Sequence, residues 1–267
     1  MARTATMTLP FVPAPRRTDR PLVLGHRGAS ATAPENTLVA FAQALAEGAD
    51  GVELDAWRCA TGEVVVIHDE ETTRTCGERL RVPEAPLAAL RRLDAGSWKG
   101  ARFRGERIPL LREVFEALPG AIVNVELKGR DGRQDAALAA AVARVVADAG
   151  AGARVIVSSF DFALLKAFRD AAPRVATGLL FGPAWHRPLR LPLATTWLRP
   201  SALHPDVGLC TPARLAGWLA GGRAVNVWTV DAPDEVARLA RAGVAGMVCN
   251  GPGAARRAVD AALARPR

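Results

Sequence analysis

The chain has 267 residues, 49% hydrophobic and 23% charged, which indicates a globular protein with one large core or two small ones. The formal net charge is +8, but no Lys/Arg-dense run with interleaved aromatics occurs, so a nucleic-acid-binding protein is not expected. No apolar run has transmembrane length, and residues 1–20 are basic and proline-rich without the apolar segment of a signal peptide. We therefore expect a cytoplasmic location, no stable membrane insertion and a disordered tail over residues 1–20.

The first strong pattern is the stretch LGHRGASATAPENT, in which an apolar strand runs into His26 and Arg27 and then into a loop of small residues. Thr32 and Glu35 have the spacing of a capping box, and Pro34 suits the first turn of a helix, so the sequence predicts a helix that begins at Glu35. The histidine and the arginine would then lie at the carboxyl end of a strand and face a helix N-terminus. In βα folds, anions commonly bind at such a place.

Strand and helix patterns alternate along the chain. The predicted strands cover residues 22–24, 52–54, 122–127, 155–157, 175–180, 202–203, 225–230 and 247–249. The predicted helices cover residues 35–47, 110–118, 134–149, 162–171, 212–220, 234–240 and 253–264. This alternation predicts an α/β fold, a (β/α)8 TIM barrel, as a single domain over residues 21–267. The alternative is an open doubly wound sheet, which is disfavoured because no glycine-rich dinucleotide turn is present.

Two segments interrupt the alternation. Residues 63–68, reading EVVVIH, predict an extra strand that folds back on the second strand as a hairpin. Residues 69–107 are expected to form a small insertion on the barrel rim, with one short helical pattern at residues 87–93. Residues 181–200 contain four prolines, two tryptophans and three arginines, and they predict a loop or a broken helix.

Charged side chains alternate with apolar ones near the ends of two predicted strands. Glu53 and Asp55 project to one face of the first, and Glu126 and Lys128 project to one face of the second. In a barrel these faces point inward, where ionisable groups need partners. One interpretation is a structural network of salt bridges. We favour the other, a site in which three carboxylates, with Arg27 and Lys128 nearby, hold a hard divalent cation such as Mg²⁺ or Ca²⁺.

Two histidines complete this candidate site. His26 and His68 each end a predicted strand, and beside a metal they can serve as general base and general acid. With one divalent ion, the carboxylates and the two cations carry roughly one net positive charge, which suits a phosphodiester. Ser159, His204 and Trp228 also lie at or near strand ends and are expected to line the pocket. The four cysteines have no zinc-site spacing and are expected to be separate thiols.

Several short motifs together resemble the glycerophosphodiester phosphodiesterases over residues 21–260. They are H-R-G-x5-P-E-N-T at residues 26–37, E-L-D at 53–55, H-D at 68–69, E-L-K at 126–128, S-F at 159–160 and W-T-V at 228–230. The resemblance implies a TIM barrel with an insertion after the second strand. It also implies metal-dependent hydrolysis of a small-molecule glycerophosphodiester to glycerol 3-phosphate and an alcohol.

The resemblance also implies roles for individual residues. It implies metal ligands at Glu53, Asp55 and Glu126, acid–base catalysis by His26 and His68, and phosphate binding by Arg27 and Lys128. We expect His26 to be the base and His68 the acid, with either water or the glycerol hydroxyl of the substrate as the attacking group. Two positions depart from the family pattern. Asp231 stands where W-T-V-N is usual, and Asn250 stands where the final strand usually leads into a T-D-x-P-like turn.

Three other functions compete with this one. A lysophospholipase D would use the same chemistry on an acylated substrate at a membrane surface, with residues 181–200 as the contact. A barrel glycosidase would use Glu53 and Glu126 as its carboxylate pair, but it leaves His26, Arg27 and Lys128 without a role. A phosphate-binding protein without activity would need an incomplete acid–base pair, whereas both histidines are present.

Overall fold

The computed structural model describes residues 20–129, 136–183 and 190–264, so the tail predicted over residues 1–20 lies almost wholly outside the described residues. The strands are β1 (Leu22–His26), β2 (Gly51–Arg58), β3 (Val64–Val66), β4 (Ile122–Leu127), β5 (Val155–Ser159), β6 (Ala176–Phe181), β7 (Ala202–Pro205), β8 (Ala224–Val227) and β9 (Gly246–Cys249). Their order is β1-β9-β8-β7-β6-β5-β4-β2-β3, and a further pairing of β1 with β2 closes eight parallel strands into a barrel. The predicted (β/α)8 barrel is therefore confirmed.

Helices follow the barrel strands along the chain. They are α1 (Leu38–Ala46), α2 (Thr73–Cys76), α3 (Leu87–Leu90), α4 (Leu111–Ala117), α5 (Ala136–Asp148), α6 (Phe162–Ala171), α7 (Arg190–Leu198), α8 (Pro212–Ala220), α9 (Pro233–Ala242) and α10 (Pro252–Leu263). In the described part of the chain, no helix is long and apolar enough to cross a membrane. The four cysteines are all free, as predicted.

The start of α1 corrects the prediction of a capping box. The helix begins at Leu38 rather than at Glu35, and its N-cap is Thr37, whose hydroxyl accepts from the backbone N–H of Ala40 at 3.3 Å. Asn36, just before the cap, has φ 57°, in the left-handed region, and so interrupts any helix that begins earlier. The side chain of Glu35 is used elsewhere, in ion pairs described below.

The insertion after the second barrel strand has the predicted place and a richer structure. β3 pairs antiparallel with β2, which confirms the hairpin. The segment that follows contains α2 as well as α3 and a short 3-10 turn at Ala101–Phe103, whereas the sequence predicted one helical pattern only. Its apolar side chains, which include Val82, Leu90 and Ile108, form one cluster with Trp57 and Val65 of the β2–β3 hairpin. The insertion is therefore packed against the barrel rim instead of projecting from it.

Residues 181–200 divide between regular elements. Phe181 ends β6, and residues 190–198 form α7, so the second half of this segment is a helix, while residues 184–189 lie outside the described residues. Arg169 of α6 donates to the carbonyls of Trp197 and Leu198 and so ties the C-terminal end of α7 to its neighbour.

The two faces of the barrel strands have different partners. On β4, Val123, Val125 and Leu127 are buried in the layer between the sheet and the helices, and burying a side chain of this size contributes about 1.5–3 kcal/mol. Asn124 and Glu126 alternate with them and point into the barrel. The interior is otherwise filled at its amino-terminal end by small and apolar residues. The polar side chains are therefore left at the carboxyl ends of the strands.

Candidate active site

Three adjacent strands bring the predicted acidic residues together. In the register of β1 with β2, His26 lies opposite Glu53, and in the register of β2 with β4, Asp55 lies opposite Glu126. Because residues two apart on a strand share a face, all of these side chains enter the same end of the barrel. The sequence predicted the shared face. The parallel register supplies the contact between strands.

Glu53, Asp55 and Glu126 each offer one carboxylate oxygen within 4.8 Å of the others, and all three side chains are buried. Burial, together with the charges of Asp55 and Glu126, raises the pKa of Glu53 well above its usual range. Burial also raises the pKa of Glu126, against the opposing effect of Lys128. Burial works in the same direction on Asp55, but Lys128 and Arg27 outweigh it and hold the pKa of that carboxyl low. A cation at this point would relieve the repulsion that these shifts report.

Two cations border the carboxylates. The Nζ of Lys128 lies 2.9 Å from Asp55 and 2.6 Å from Glu126, and the Nε of Arg27 lies 3.3 Å from Asp55. The salt bridges of the structural interpretation are therefore present, yet two cations leave the three carboxylates with one net negative charge. Both cations also line the same cavity as Glu53 and Glu126, so the network is open to a ligand.

The turn after β1 fixes Arg27 in this network. Arg27 and Gly28 have φ values of 53° and 88°, and a Cβ at Gly28 would lie 2.6 Å from the carbonyl carbon of Ala40, which only glycine avoids. The backbone N–H of Arg27 donates to Glu53 at 3.1 Å. The amide of Asn36, the asparagine of the P-E-N-T motif, donates to Asp55 at 2.8 Å. Asn36 is thus a site residue that the sequence analysis did not name, although its motif was available.

His26 stands at the junction of β1 and this turn. Its Nδ1 lies 2.7 Å from Oδ1 of Asn250, and its Nε2 lies 4.0 Å from Glu53. Burial and the charge of Arg27 lower the pKa of His26, which favours the neutral ring at pH 7. A neutral ring with the Nδ1 proton engaged leaves a lone pair on Nε2, and this is what a general base requires.

His68 faces the same cavity with a different partner. Its Nδ1 lies 2.6 Å from a carboxylate oxygen of Asp69. Burial lowers the pKa of His68, and the charge of Asp55 and the hydrogen bond to Asp69 offset this only in part. Arg74, from α2 of the insertion, donates to Asp69 at 2.6 Å and to both oxygens of Glu35 at 2.8 Å. Glu35 in turn accepts from Arg27 at 2.8 Å. Arg74 was not predicted, because a salt bridge between distant segments has no local sequence signal. Asp69 and Glu35 stand in the H-D and P-E-N-T motifs but were given no role at the site.

A cavity of about 260 Å³ at the barrel mouth is lined by the two histidines, the two cations, Glu53 and Glu126. Phe160 and Trp228 form an apolar wall, with ring centroids 5.3 Å apart and the rings at 88°. His204 also lines the cavity, where burial lowers its pKa to about 3. Trp228 and His204, two of the predicted pocket residues, therefore lie at this cavity.

Ser159 does not line this cavity, and the prediction for it is wrong. Its hydroxyl donates to the carbonyl of Leu127 at 2.9 Å and accepts from the backbone N–H of Asp161 at 3.1 Å. The residue that follows it, Phe160, faces the cavity instead. Because side chains alternate along a strand, neighbouring positions reach opposite faces.

A second cavity, of about 540 Å³, adjoins the first and shares His26 and Arg27 with it. Trp98 and Lys99 of the insertion form one side, and the start of α10 forms the other. The Nζ of Lys99 donates to the carbonyl of Ser30 at 2.6 Å. The site therefore has a smaller inner part and a larger outer part, with His26 and Arg27 between them.

Comparisons with known proteins identify relatives of this chain. The model of the "Glycerophosphoryl diester phosphodiesterase family" matches residues 26–254. A glycerophosphodiester phosphodiesterase of Caldanaerobacter subterraneus subsp. tengcongensis is 35% identical over 241 residues, which cover 86% of this chain and 94% of that protein. The structure of an Oleispira antarctica phosphodiesterase in complex with the product sn-glycerol-3-phosphate has a TM-score of 0.82 at 28% identity, covering 90% of this chain and 97% of the other. A Thermotoga maritima glycerophosphodiester phosphodiesterase has a TM-score of 0.72 at 28% identity, covering 87% and 96%.

Proposed function

The chain belongs to the glycerophosphoryl diester phosphodiesterase family, and we propose that it hydrolyses glycerophosphodiesters to glycerol 3-phosphate and an alcohol with one divalent ion as cofactor. Its class is that of a glycerophosphodiester phosphodiesterase. We also propose which residues hold the metal, which residues bind the phosphate, and which histidine accepts and which donates a proton. It is carried by one observation: two cations and two histidines line one cavity with Glu53 and Glu126, and a carboxylate oxygen of Asp55 lies within 4.8 Å of theirs.

The carboxylates fit a hard divalent ion. Glu53, Asp55 and Glu126 supply oxygen ligands only, which suits Mg²⁺ or Ca²⁺, and the raised pKa of Glu53 reflects burial and repulsion that such an ion would offset. When bound, the ion supplies charge stabilisation to a phosphoryl oxygen. With it, the three carboxylates, Arg27 and Lys128 carry one net positive charge, which matches the single negative charge of a phosphodiester.

Arg27 and Lys128 bind and orient the phosphate. Their side chains are held by Asp55, Glu35 and Glu126, so their position is fixed before substrate arrives. A fixed cation that faces the phosphoryl oxygens stabilises the added negative charge of the transition state more than it stabilises the ground state.

The partners of the two histidines support different roles for them. The Nδ1 of His26 faces an uncharged amide oxygen, which leaves the ring neutral, and we assign His26 as the general base for the attacking hydroxyl. The Nδ1 of His68 faces the carboxylate of Asp69, which stabilises the protonated ring. We assign His68 as the acid that protonates the leaving alkoxide.

The test is release of glycerol 3-phosphate from a panel of glycerophosphodiesters that differ in their alcohol. We expect release from several of them, loss of release with a chelator, and recovery when Mg²⁺ or Ca²⁺ is added back. A barrel glycosidase would release no glycerol 3-phosphate. Absence of release by the folded, metal-loaded protein would contradict the proposal.

A second candidate, a phosphodiesterase for acylated substrates, is favoured by one feature. Phe160 lines the inner cavity, and 37% of its surface is exposed. Phe162 and Trp197 contact each other edge to face, with ring centroids 5.9 Å apart, and both remain about half exposed. Exposed aromatic side chains suit an acyl chain or a lipid surface. Lysophospholipids in the same panel, with and without anionic vesicles, test this candidate, since faster turnover of the acylated compounds would favour it over the first.

A further inference from the structure

Asn250 lies directly behind His26 and is held there by three groups. Its Oδ1 lies 2.7 Å from Nδ1 of His26 and accepts from the hydroxyl of Ser30 at 2.9 Å. Its Nδ2 donates to Oδ2 of Asp231 at 2.5 Å, and its backbone N–H donates to Oδ1 of the same carboxylate at 2.7 Å. Asn250 follows β9, the neighbour of β1 in the barrel, and Asp231 comes from the segment after β8, the next strand along.

The carboxylate of Asp231 decides which way the amide of Asn250 points. An ionised carboxylate only accepts hydrogen bonds, so it binds the NH₂ group of the amide and turns the carbonyl oxygen toward His26. An amide oxygen also only accepts, and the hydrogen bond from the ring therefore has to come from a protonated Nδ1. The tautomer of His26 thus depends on a residue that does not contact it.

We propose that Asp231 and Asn250 are positioning residues for His26, which keep the proton on Nδ1 and the lone pair of Nε2 on the side that faces Glu53. The catalytic part of this proposal rests on the proposed function, because it matters for turnover only if His26 transfers a proton. The tautomer itself does not depend on the reaction. Removal of a residue that orients a site residue through hydrogen bonds often lowers activity about 10–100-fold.

The side chains of Asp231 and Asn250 are hydrogen-bonded to each other, with the amide as donor and the carboxylate as acceptor. An exchange of the two residues would keep the pair: the amide at position 231 would accept from the backbone N–H at position 250 and donate to the new carboxylate. That carboxylate would still accept from Nδ1 of His26.

The exchange provides a direct test. Asp231→Asn removes the acceptor that orients the amide, and Asn250→Asp alone places two carboxylates against each other. We expect each single variant to lower kcat by about 10–100-fold with KM within about twofold. The double variant Asp231→Asn/Asn250→Asp restores an oriented acceptor for Nδ1 but makes it a carboxylate, which stabilises the protonated ring. Its kcat should therefore exceed that of either single variant when each is measured at its own optimum, and that optimum should lie at a higher pH than that of the wild type. Asp260→Asn is the matched control, because it makes the same change in charge on the exposed side of α10 and should leave kcat unchanged.

A spectroscopic measurement separates positioning from general damage to the fold. The chain has four histidines, so long-range ¹H–¹⁵N spectra of the Mg²⁺-loaded protein at pH 8 can be assigned with a His26→Ala variant. We expect His26 to be protonated on Nδ1 in the wild-type and double variants and to lose this preference in Asp231→Asn. This readout remains valid even if glycerophosphodiesters are not the substrates.

Three results would overturn the proposal. They are an Asp231→Asn variant with kcat within twofold of wild type, a double variant that is no more active than the single ones, and an unchanged His26 tautomer in Asp231→Asn. Thermal unfolding of every variant checks that the compared proteins are folded.

Discussion

Arg74 and Glu35 form a two-point ion pair, in which both terminal nitrogens of the guanidinium donate to the carboxylate oxygens at 2.8 Å. Arg74 also donates to Asp69, the partner of His68, and Glu35 accepts from Arg27. One guanidinium from the insertion therefore connects the group behind His68 with the group that holds Arg27. The insertion contributes to the geometry of the site as well as to its walls.

This pair gives the first prediction. Arg74→Lys keeps the charge but loses the planar, two-point geometry, so kcat/KM should fall about tenfold. Arg79→Lys is the matched control, because Arg79 makes the same kind of two-point pair with Glu71 on the exposed surface of the insertion and should leave kcat/KM unchanged. Equal effects of the two substitutions on steady-state kinetics would show that Arg74 has no special role.

The second prediction concerns the two histidines. His26→Ala and His68→Ala should each lower kcat by about 10²–10⁴-fold, which is the usual contribution of a positioned acid or base. The substrate should still bind, because Arg27 and Lys128 remain, so KM should change little. Steady-state kinetics and circular dichroism on the same samples provide the measurement. A folded His26→Ala variant with near-wild-type kcat would refute the assignment of His26.

The third prediction concerns the metal. Glu126→Gln removes one anionic ligand and should weaken binding of Mg²⁺ or Ca²⁺ by at least about tenfold, measured by calorimetry. In the wild-type protein, a bound ion should raise Tm, because it binds the native carboxylate cluster and not the unfolded chain. Glu235→Gln, at an exposed carboxylate on α9 paired with Arg238, is the control and should bind the ion as the wild type does. A Tm that is the same with chelator and with saturating ion would argue against the site.

The fourth prediction follows from His204. Burial lowers its pKa from the ordinary 6.5 to about 3, so between these values the unfolded chain binds the proton and the native chain does not. The unfolded state then holds more protons, and stability rises with pH, by at most about 1.4 kcal/mol per unit from this group. The contribution is complete above pH 6.5 and is lost as the pH falls toward 3.

His204→Gln removes this titration. Urea unfolding between pH 4 and pH 7 should therefore give a shallower dependence of the unfolding free energy on pH for the variant than for the wild type. The two absolute stabilities are not the readout, since the substitution also changes packing. Parallel curves across this range would contradict the prediction.

The fifth prediction uses two glycines. A Cβ at Gly178 would lie 2.4 Å from Nε2 of the buried His204, so Gly178→Ala should destabilise the protein by about 1–3 kcal/mol. At Gly217, inside α8, a Cβ meets nothing within 4 Å, and Gly217→Ala should stabilise by about 0.5–1 kcal/mol. Chemical denaturation measures both, and a stability loss at Gly217 equal to that at Gly178 would show that the contact with His204 is not the cause.

Local patterns were sufficient for much of the site. The alternation of Glu53 with Asp55 follows from the period of two in a strand, and this period holds whatever the strand packs against. The placement of His26 and His68 at strand ends also followed from short stretches of sequence. For Ser159, the same period of two means that Ser159 and its neighbour Phe160 cannot both face the barrel mouth, and Phe160 is the residue that does. The helix α1 begins later than predicted. The side chain of Glu35, which has the spacing of a capping residue, accepts hydrogen bonds from Arg27 and Arg74 instead.

The sequence by itself determined the barrel, the insertion after the second strand, and the acidic, basic and histidine residues that meet at the mouth. The barrel and the insertion follow from the alternation of strands and helices along the chain, and the residues at the mouth follow from the period of two within a strand and from the strand ends. Only the tertiary structure decided the partners behind the histidines. His26 and Asn250 are 224 positions apart, and Arg74 and Glu35 are 39 apart. Such contacts depend on which strands become neighbours when the barrel closes and on how the insertion packs, and neither leaves a pattern in a local stretch of the chain.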